Sequence, residues 1–338
     1  MACPSESFSR GGVLRRVTLL AGGLFFLTAV TGPTAGAANP ARQDLDLGRA
    51  DSALQTLGAS LAHNPSDAEA HNLRCRVYYQ EELWDQAVLD CEAAVQFTPA
   101  DSNFHLWLGR AYGQKAAHAS IVSAYPLARK AHAEFEQAVQ LDPQNAAALA
   151  DLGEFDVMAP AVVGGGLARA DAVVQQLRSV NPAGALTLEA RIAESKKDYG
   201  PAEARLKDAI HQSSYPANAW MDLASFYRRR GRLDEMTAAA HTGASLDDHH
   251  GPALVDGASN LTLAGREAST AIQWLQQYLS SSAQSELAPT FVVRAQLAEL
   301  LRKQGENEAA QQQLAAVRAL ASGYRIPFSN AAARIAGL

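Results

Sequence analysis

The amino-acid sequence predicts an all-α fold, an α-α superhelix of about eight stacked helix-turn-helix units. Apolar residues make up 48% of the 338 residues but aromatic residues only 7%, and much of the difference is alanine, the strongest helix former. Apolar residues also recur at spacings of four and three, which places them on one face of a helix. These two observations argue against a β-sandwich and against a disordered chain.

The charge of the chain argues against a nucleic-acid partner. Lysine and arginine number 29, aspartate and glutamate 35, and the formal net charge is −6. Proteins that bind nucleic acids through the phosphates usually carry a clear excess of basic residues. We therefore expect no nucleic-acid partner.

The first segment has the composition of a secretory signal. Arg15 and Arg16 precede an uncharged run over residues 17–30, and small residues follow at 35–38. This run is shorter than the roughly 20 residues that span a bilayer. We expect cleavage of residues 1–37 and an exported protein, periplasmic or secreted, without a membrane span. The alternative is an uncleaved N-terminal anchor.

A short pattern of small and apolar residues recurs along the rest of the chain. Ala87, Cys91 and Ala94 are four and three residues apart, and Pro99 follows five residues later. A proline at this position ends a helix. The same offsets lead up to Pro65, Pro143 and Pro182.

A second helical pattern precedes each of these runs, as in Trp220, Leu223, Ala224 and Tyr227. Together the two patterns, with a late proline and a period of about 34 residues, resemble the tetratricopeptide repeat. The Ala-Pro followed by three glycines at 164–166 is similar to a subset of exported bacterial members. The resemblance implies paired antiparallel helices that stack into a superhelix.

The repeat spacing divides the chain into three parts. We expect a signal peptide at 1–37, the superhelix at 38–323 and a capping segment at 324–338 with a short helix at 330–338. The eight repeats are expected near residues 38–67, 68–101, 102–145, 146–182, 183–216, 217–250, 251–287 and 288–321.

Two cysteines remain after signal removal. Cys75 and Cys91 are equally distant from a turn near Leu83, so an antiparallel helix pair places them opposite each other. An exported protein favours oxidised cysteines, and closely packed helices meet the distance that a disulfide needs. The sequence predicts a Cys75–Cys91 disulfide; the alternative is two buried free thiols.

Two repeats are longer than the others, and in both the additional residues fall between the two helices. These insertions cover residues 115–130 and 158–166. Turns of neighbouring repeats share one edge of the stack, so we expect the insertions to touch. The predicted insertion edge consists of Ile121, Tyr125, Val162 and Val163. It is either a local packing device, a docking edge for a partner or membrane surface, or an oligomer contact.

The sequence contains no motif typical of catalysis. Neither G-x-S-x-G, H-E-x-x-H nor C-x-x-C occurs, and the glycines at 164–166 lack the flanking residues of a phosphate-binding loop. The cluster at 247–250, Asp-Asp-His-His, is interpreted as a solvated turn, because adjacent residues rarely converge on one metal. We predict no enzyme activity, no catalytic or metal-binding residue and no cofactor.

The tetratricopeptide resemblance implies a concave groove lined by the first helix of each repeat. Carried onto this chain, it indicates a locally basic groove that suits an acidic peptide or a C-terminal carboxylate. The alternative is that these arginines only cover alanine-rich helices. The groove candidates are Asn72, Arg76, Tyr79, Arg110, Gln114, Arg228 and Arg229, with Gln80, Asn218, Arg302 and Lys303 on the same faces.

The sequence therefore predicts a non-enzymatic exported scaffold that binds a protein or peptide partner through the concave groove. The alternative is a structural subunit of a cell-envelope or secretion assembly that docks through the insertions at 115–130 and 158–166. A third interpretation is a small-molecule or glycan binder, or an enzyme without a recognisable motif. The oligomeric state is not predicted.

Overall fold

The computed structural model describes residues 35–327, and every regular element in that range is helical. Sixteen α-helices form eight antiparallel pairs, which confirms the predicted α-α superhelix of about eight units. The first helices of the pairs are α1 (Ala35–Asp46), α3 (Ala68–Gln80), α5 (Ser102–Ala117), α7 (Ala146–Met158), α9 (Pro182–Ser195), α11 (Pro216–Arg229), α13 (Pro252–Leu263) and α15 (Thr290–Lys303). The second helices are α2 (Ala50–His63), α4 (Trp84–Phe97), α6 (Ile121–Leu141), α8 (Leu167–Val180), α10 (Tyr199–Gln212), α12 (Leu233–Ser245), α14 (Ala268–Ser280) and α16 (Asn307–Leu320).

Side-chain caps begin several of the first helices. Asp67, Asp101, Asn145 and Asn181 precede α3, α5, α7 and α9, and each side-chain oxygen accepts a hydrogen bond from a backbone N–H of the first turn. These groups have no partner inside the helix, so the cap satisfies them. A proline stands two residues before the first three of these caps. These three prolines thus lie between one pair and the next, whereas the fourth late proline, Pro182, is the first residue of α9.

In six of the eight turns inside the pairs, a left-handed residue stands two residues after the last residue of the first helix. This backbone conformation lets the chain reverse directly after a helix. Four of these residues are glycines, which adopt it without steric cost. The six are Gly48, Glu82, Lys197, Gly231, Gly265 and Gly305. The other two turns are those that carry the predicted insertions.

The helices of a pair and of neighbouring pairs approach closely where small residues meet. A Cβ atom added to Gly109 of α5 would lie 2.7 Å from the Phe135 ring of α6, and one on Gly153 of α7 would lie 2.3 Å from Leu188 of α9. In the second pair, Cys75 and Cys91 form a disulfide across α3 and α4 with a Cα–Cα distance of 5.3 Å.

The first and last pairs of the array contact each other. One hydrophobic cluster contains Leu45 and Leu57 from the beginning of the described chain together with Phe291, Val317 and Tyr324 from its end. All five side chains are buried. A continuous apolar cluster of this kind stabilises the contact between elements more than 200 residues apart.

Polar contacts accompany this closure. Thr290 Oγ1 donates a hydrogen bond to the carbonyl oxygen of Leu47 at 2.8 Å. The backbone N–H of Ser322 donates to the Asp51 carboxylate at 3.1 Å. The eight pairs therefore form an array whose two ends are joined, a closure that was not predicted from the sequence.

Parts of the predicted organisation lie outside the described residues. These are the signal segment up to residue 34 and the expected tail helix at 330–338. Of the predicted capping segment, residues 324–327 are described, and Tyr324 and Ile326 are buried in the cluster that joins the ends. Within residues 35–327, no helix combines the length and apolar character that crossing a membrane requires.

Candidate functional site

The seven main groove candidates lie on the first helices α3, α5 and α11. The arginines among them have hydrogen-bond or ion-pair partners within the protein. Arg76 of α3 is only 6% exposed. Its Nε donates to Glu286 Oε2 at 3.0 Å, and its guanidinium lies 4.8 Å from the centre of the Trp107 ring. Burial lowers the pKa of Arg76 while Glu286 counteracts this shift. Arg76 therefore holds the segment before α15 against α3.

The neighbouring candidates form an aromatic-lined cavity beside this ion pair. The Tyr79 ring makes edge-on contacts with Trp84 and Trp107 at centroid distances of 5.4 and 5.5 Å. Arg110 also lies over the Trp107 ring, 4.6 Å from its centre, and Gln114 interacts with the Tyr79 hydroxyl and opposes the rise of its pKa that burial causes. The cavity has a volume of about 410 Å³. It brings together Tyr79, Arg110 and Gln114, as the sequence predicts for one face.

Asn72, the remaining candidate on α3, does not line this face. Its side chain is 2% exposed, and its Nδ2 has no hydrogen-bond partner among the described residues. A residue so deeply buried is not available to a partner in this state. The structure thus places Asn72 in the packing between helices.

Ion pairs link successive first helices on the same face. Arg110 Nε donates to Asp151 Oδ2 at 2.5 Å, which joins α5 to α7. Arg191 of α9 bonds Glu154 of α7 with an Nη2–Oε1 distance of 2.5 Å. Such paired, partly buried charges fix the positions of neighbouring helices more than they add stability.

The same arrangement continues from α9 to α13. Arg229 bonds both carboxylate oxygens of Glu194 at 2.9 and 2.8 Å. Arg228 differs, because its Nε donates to the amide oxygen of Asn260 at 3.0 Å and no carboxylate among the described residues pairs with it. The locally basic groove of the sequence analysis is therefore corrected: Arg76, Arg110 and Arg229 are neutralised by acidic partners.

Two carboxylates on this face have no ion-pair or hydrogen-bond partner within residues 35–327. Asp222 of α11 and Asp256 of α13 belong to adjacent first helices. Both residues are exposed to solvent, but desolvation by the surrounding protein raises the pKa of each to about 6, and the charge of Asp256 adds to the shift of Asp222. Arg191 and Arg229 oppose the shift of Asp222, so these groups share one electrostatic environment.

The acidic half of this face was not predicted from the sequence. Arg110, the residue after the small slot of α5, was predicted as a groove residue, but the equivalent residues after Gly153 and Ala190 are Glu154 and Arg191. The opposite charges of Glu154 and Arg191 at equivalent positions of neighbouring repeats could have predicted an ion pair between α7 and α9. Glu286 could not be predicted in this way, because nothing in the repeat spacing relates it to α3. No comparable sequence signal pointed to Trp107.

The two insertions touch, as predicted, through two residues of the predicted insertion edge, Tyr125 and Val162. The Tyr125 hydroxyl of α6 donates to the Val162 carbonyl oxygen at 3.2 Å, within a short 3₁₀ helix, Ala161–Val163, between α7 and α8. Val163 is buried, whereas Ile121 is 92% exposed. The expectation that Ile121 packs with the other three is therefore wrong: it stands at the first position of α6, beyond the contact.

A buried pair lies beneath this edge. His132 Nε2 is 3.4 Å from Asp156 Oδ1, and both residues are nearly inaccessible. Burial raises the pKa of Asp156 to about 6, against the opposing effect of His132. Gly164, with φ +110°, lies so close to the His132 ring that a Cβ atom would be 2.6 Å from Nδ1. The glycine segment therefore serves close packing over a polar pair.

The acidic and histidine-rich turn at 247–250 is held by a local hydrogen bond. Asp247 Oδ1 accepts a hydrogen bond from the Gly251 N–H at 3.0 Å, just before α13. In the described part of the chain, no three histidine, cysteine, aspartate or glutamate side chains are arranged to hold a metal ion.

Comparisons with known proteins agree with this architecture. A family model for the tetratricopeptide repeat matches residues 41–102. No curated protein matches the sequence. The family match thus covers the second pair and parts of its neighbours, where the helices, caps and disulfide are described above.

Solved structures with the same type of fold extend the comparison over more of the chain. A thermophilic TPR protein of Thermus thermophilus is 22% identical, covers 56% of this chain and 98% of its own, and has a TM-score of 0.48. A tetratricopeptide repeat protein of Parabacteroides merdae is 14% identical over 79% of this chain and 96% of its own, with a TM-score of 0.48. Yeast Tom70 is 13% identical, covers 87% of this chain and 62% of its own, and has a TM-score of 0.53. Residues 41–102 thus carry tetratricopeptide repeats, and the described array has the α-α superhelical fold of a tetratricopeptide protein.

Proposed function

We propose that this chain is a non-enzymatic, exported scaffold that binds a segment of another protein along the face formed by its first helices. The observation that carries the proposal is that consecutive first helices present polar and aromatic side chains to one shared face, where they form cavities. A repeated surface of this kind suits an extended or helical segment better than a small substrate.

Arg228 is the best anchor for an acidic group of the partner. Arg76, Arg110 and Arg229 would have to give up a carboxylate partner to bind an acidic segment, which costs a formed ion pair. Arg228 would give up only the amide oxygen of Asn260. We therefore keep the acidic partner predicted from the sequence, with Arg228 as its contact.

The two unpaired carboxylates make this binding dependent on pH. Asp222 and Asp256 repel an acidic segment when they are ionised. Because desolvation by the surrounding protein raises the pKa of both to about 6, they lose charge as the pH falls through 6. An acidic segment should therefore bind more tightly at pH 5 than at pH 7.5.

Site-specific photo-crosslinking in the native envelope tests the proposal. A photoreactive residue at Thr187, which lines the cavity with Arg191 and Asp222, should capture a partner. The same residue at Gln176, exposed on the second helix α8, is the control and should not. The Arg228→Gln substitution should reduce capture from Thr187, and Arg178→Gln, outside this face, should leave it unchanged. Capture from Gln176 alone, or capture unaffected by Arg228→Gln, would contradict the proposal.

A second candidate function rests on the insertion edge. Ile121, Val122 and Met158 are 92%, 85% and 72% exposed, and apolar side chains so exposed often mark interaction sites. In this alternative the chain is a structural subunit of a cell-envelope or secretion assembly that docks through the insertions. The Ile121→Ser/Val122→Ser variant should then be lost from the assembly while crosslinking from Thr187 is unchanged.

A further inference from the structure

The aromatic-lined cavity beside the Arg76–Glu286 ion pair is built from elements that only the closure of the array brings together. Tyr79 of α3 and Trp107 of α5 line it, and so does Leu287 of the segment before α15. We call it the aromatic cavity. Its volume of about 410 Å³ falls within the usual size of ligand sites, roughly 300–1,000 Å³. The closure therefore creates a site that no single repeat contains.

Aromatic rings form much of the lining of this cavity. The Tyr79 ring lies edge-on to Trp84 and Trp107. The exposed His118 ring stacks on Trp84 with a centroid distance of 5.3 Å and an angle of 27° between the ring planes. Leu287 is 71% exposed, so further apolar surface of the lining is accessible. Such a lining favours a ligand that has rigid apolar rings of its own.

Two hydrogen-bond donors of the aromatic cavity are free. The indole N–H groups of Trp84 and Trp107 have no hydrogen-bond partner among residues 35–327. Neither group is enclosed by the protein, so both are accessible to a ligand that offers acceptors.

Three acceptors of the lining residues, in contrast, are already in use. The Glu286 carboxylate accepts from Arg76, and the Glu286 carbonyl oxygen accepts from Gln80 Nε2 at 3.2 Å. The carbonyl oxygen of Gln114 accepts from His118 Nδ1 at 2.9 Å. A ligand that offers acceptors but few donors therefore matches the aromatic cavity best.

These features argue against two other classes of ligand. Each hydroxyl of a glycan is a donor as well as an acceptor, so a sugar would find few free acceptors for its donors here. A quaternary ammonium group binds over an aromatic face, but Arg76 and Arg110 already lie over the Trp107 ring.

A proline-rich segment meets the requirements of this cavity. Proline has a rigid apolar ring and no N–H, so a run of prolines offers carbonyl acceptors without matching donors. Such runs adopt the polyproline II conformation, which has no internal hydrogen bonds and binds aromatic-lined grooves. We propose that the aromatic cavity binds a proline-rich segment in the polyproline II conformation. This proposal rests on the proposed function, since the segment belongs to the protein partner.

An unpaired charge of the aromatic cavity indicates which residue flanks the prolines. Glu82 lines the cavity, is exposed and has no ion-pair partner among the described residues. A lysine or arginine next to the prolines would pair with this carboxylate. Arg228 of α11 lies outside the cavity, so its acidic contact concerns another part of the partner.

Fluorescence anisotropy with a labelled peptide tests this assignment. The probe is a fluorescein-labelled run of about eight prolines followed by one arginine, and the comparison peptide has glycine and serine in place of the prolines. The full chain should bind the proline probe at least about tenfold more tightly than the comparison peptide. Chitohexaose, a glycan, and tetramethylammonium, a quaternary ammonium ion, should not displace the probe.

Two substitutions locate the binding in the aromatic cavity. Trp84→Phe keeps an aromatic ring but removes an indole donor, and it should weaken binding about three- to tenfold, the loss expected for one hydrogen bond. Its control is Trp220→Phe on α11, outside the cavity. Leu287→Ser should weaken binding about tenfold through lost apolar contact, and its control is Leu89→Ser, 67% exposed on α4. Both controls should bind like the unchanged chain.

A third substitution tests the flanking charge. Glu82→Gln should weaken binding of the probe that ends in arginine but not of a probe that ends in glutamine. Glu308→Gln, at an exposed position of α16, removes the same charge elsewhere and should change neither.

Several results would overturn the proposal. Equal binding of the proline probe and the comparison peptide would do so, as would binding that Trp84→Phe and Leu287→Ser leave unchanged. Displacement of the probe by chitohexaose would assign the cavity to glycans instead. If the proline probe does not bind while Thr187 still captures a partner, this inference fails and the proposed function stands. If Thr187 captures nothing either, both fail.

Discussion

Gly109 shows how a single residue sets the distance between two helices. A Cβ atom at this position would meet the buried Phe135 ring at 2.7 Å, whereas one on Gly113, four residues further along α5, would meet nothing within 4 Å. Gly109→Ala should lower the free energy of unfolding by about 1–3 kcal/mol through overpacking. Gly113→Ala should raise it by about 0.5–1 kcal/mol, because alanine favours the helix.

Urea unfolding of the two variants measures this difference. They have the same change in composition within one helix, so differences in the unfolded state largely cancel. If the Gly109→Ala variant were as stable as the Gly113→Ala variant, this would contradict the close packing of α5 against α6 at Gly109.

Glu81 is a buried carboxylate at the contact between the two ends. It is 1% exposed, and its Oε1 accepts the Gly323 N–H at 3.2 Å. Burial, with a contribution from Asp51, raises the pKa of Glu81 to about 7 from 4.5. Because the folded-state pKa is the higher one, the charge destabilises the fold above pH 7, and this effect disappears as the pH falls towards 4.5.

Glu81→Gln removes this charge with little change of shape. It should raise the free energy of unfolding at pH 8 by on the order of 2 kcal/mol and have little effect at pH 4.5. Glu82→Gln, at the exposed neighbouring residue, serves as the control for the loss of one charge. Denaturant titrations at the two pH values check this. An equal effect of Glu81→Gln at both would contradict the buried position of Glu81.

The positions of the individual groove residues could be predicted from the sequence, but whether their charges are paired could not. The repeat pattern located Arg76, Arg110 and Arg229 on first helices, and they lie there. Their acidic partners stand on other repeats, so the local charge could be judged only after the repeats were placed side by side. Glu286, which lies outside the helices, had no repeat position at all.

At the scale of elements, the helices followed from local signals. Spacings of three and four, prolines between pairs and capping residues such as Asp101 are all local in sequence. The insertions were also visible as departures from the period. The 3₁₀ helix and the exposed tip of α6 were not, because a length excess does not tell which helix it extends.

The disulfide ties together the second helix pair. Cys75 and Cys91 are 16 residues apart in sequence, and both are fully buried. Reduction should lower the free energy of unfolding by about 3 kcal/mol or less, since the closed loop is short. The Cys75→Ala/Cys91→Ala variant should unfold identically with and without reductant. The disulfide would be contradicted if the free energy of unfolding of the unsubstituted chain did not change with reductant, once both thiols were shown to be reduced.

At the scale of the whole molecule, the closure was beyond prediction from the sequence. An open array and a closed one have the same repeats, and the difference lies in contacts such as Thr290 with Leu47 that no periodicity encodes. Ordinary repeat arrays are stabilised mainly by contacts between neighbours and can fray from their ends. Joined ends remove the free termini, which favours one cooperative unfolding unit.

The contact between Arg76 and Glu286 provides the most direct test of this closed architecture, on which the shared face of the first helices depends. The two residues are 210 positions apart and form a largely buried ion pair. A double-mutant cycle with Arg76→Met, Glu286→Gln and the combined variant measures their coupling in the free energy of unfolding. We expect a coupling of about 1–3 kcal/mol. Additive effects, within about 0.5 kcal/mol, would show that the two ends do not meet in solution and would contradict the closed array.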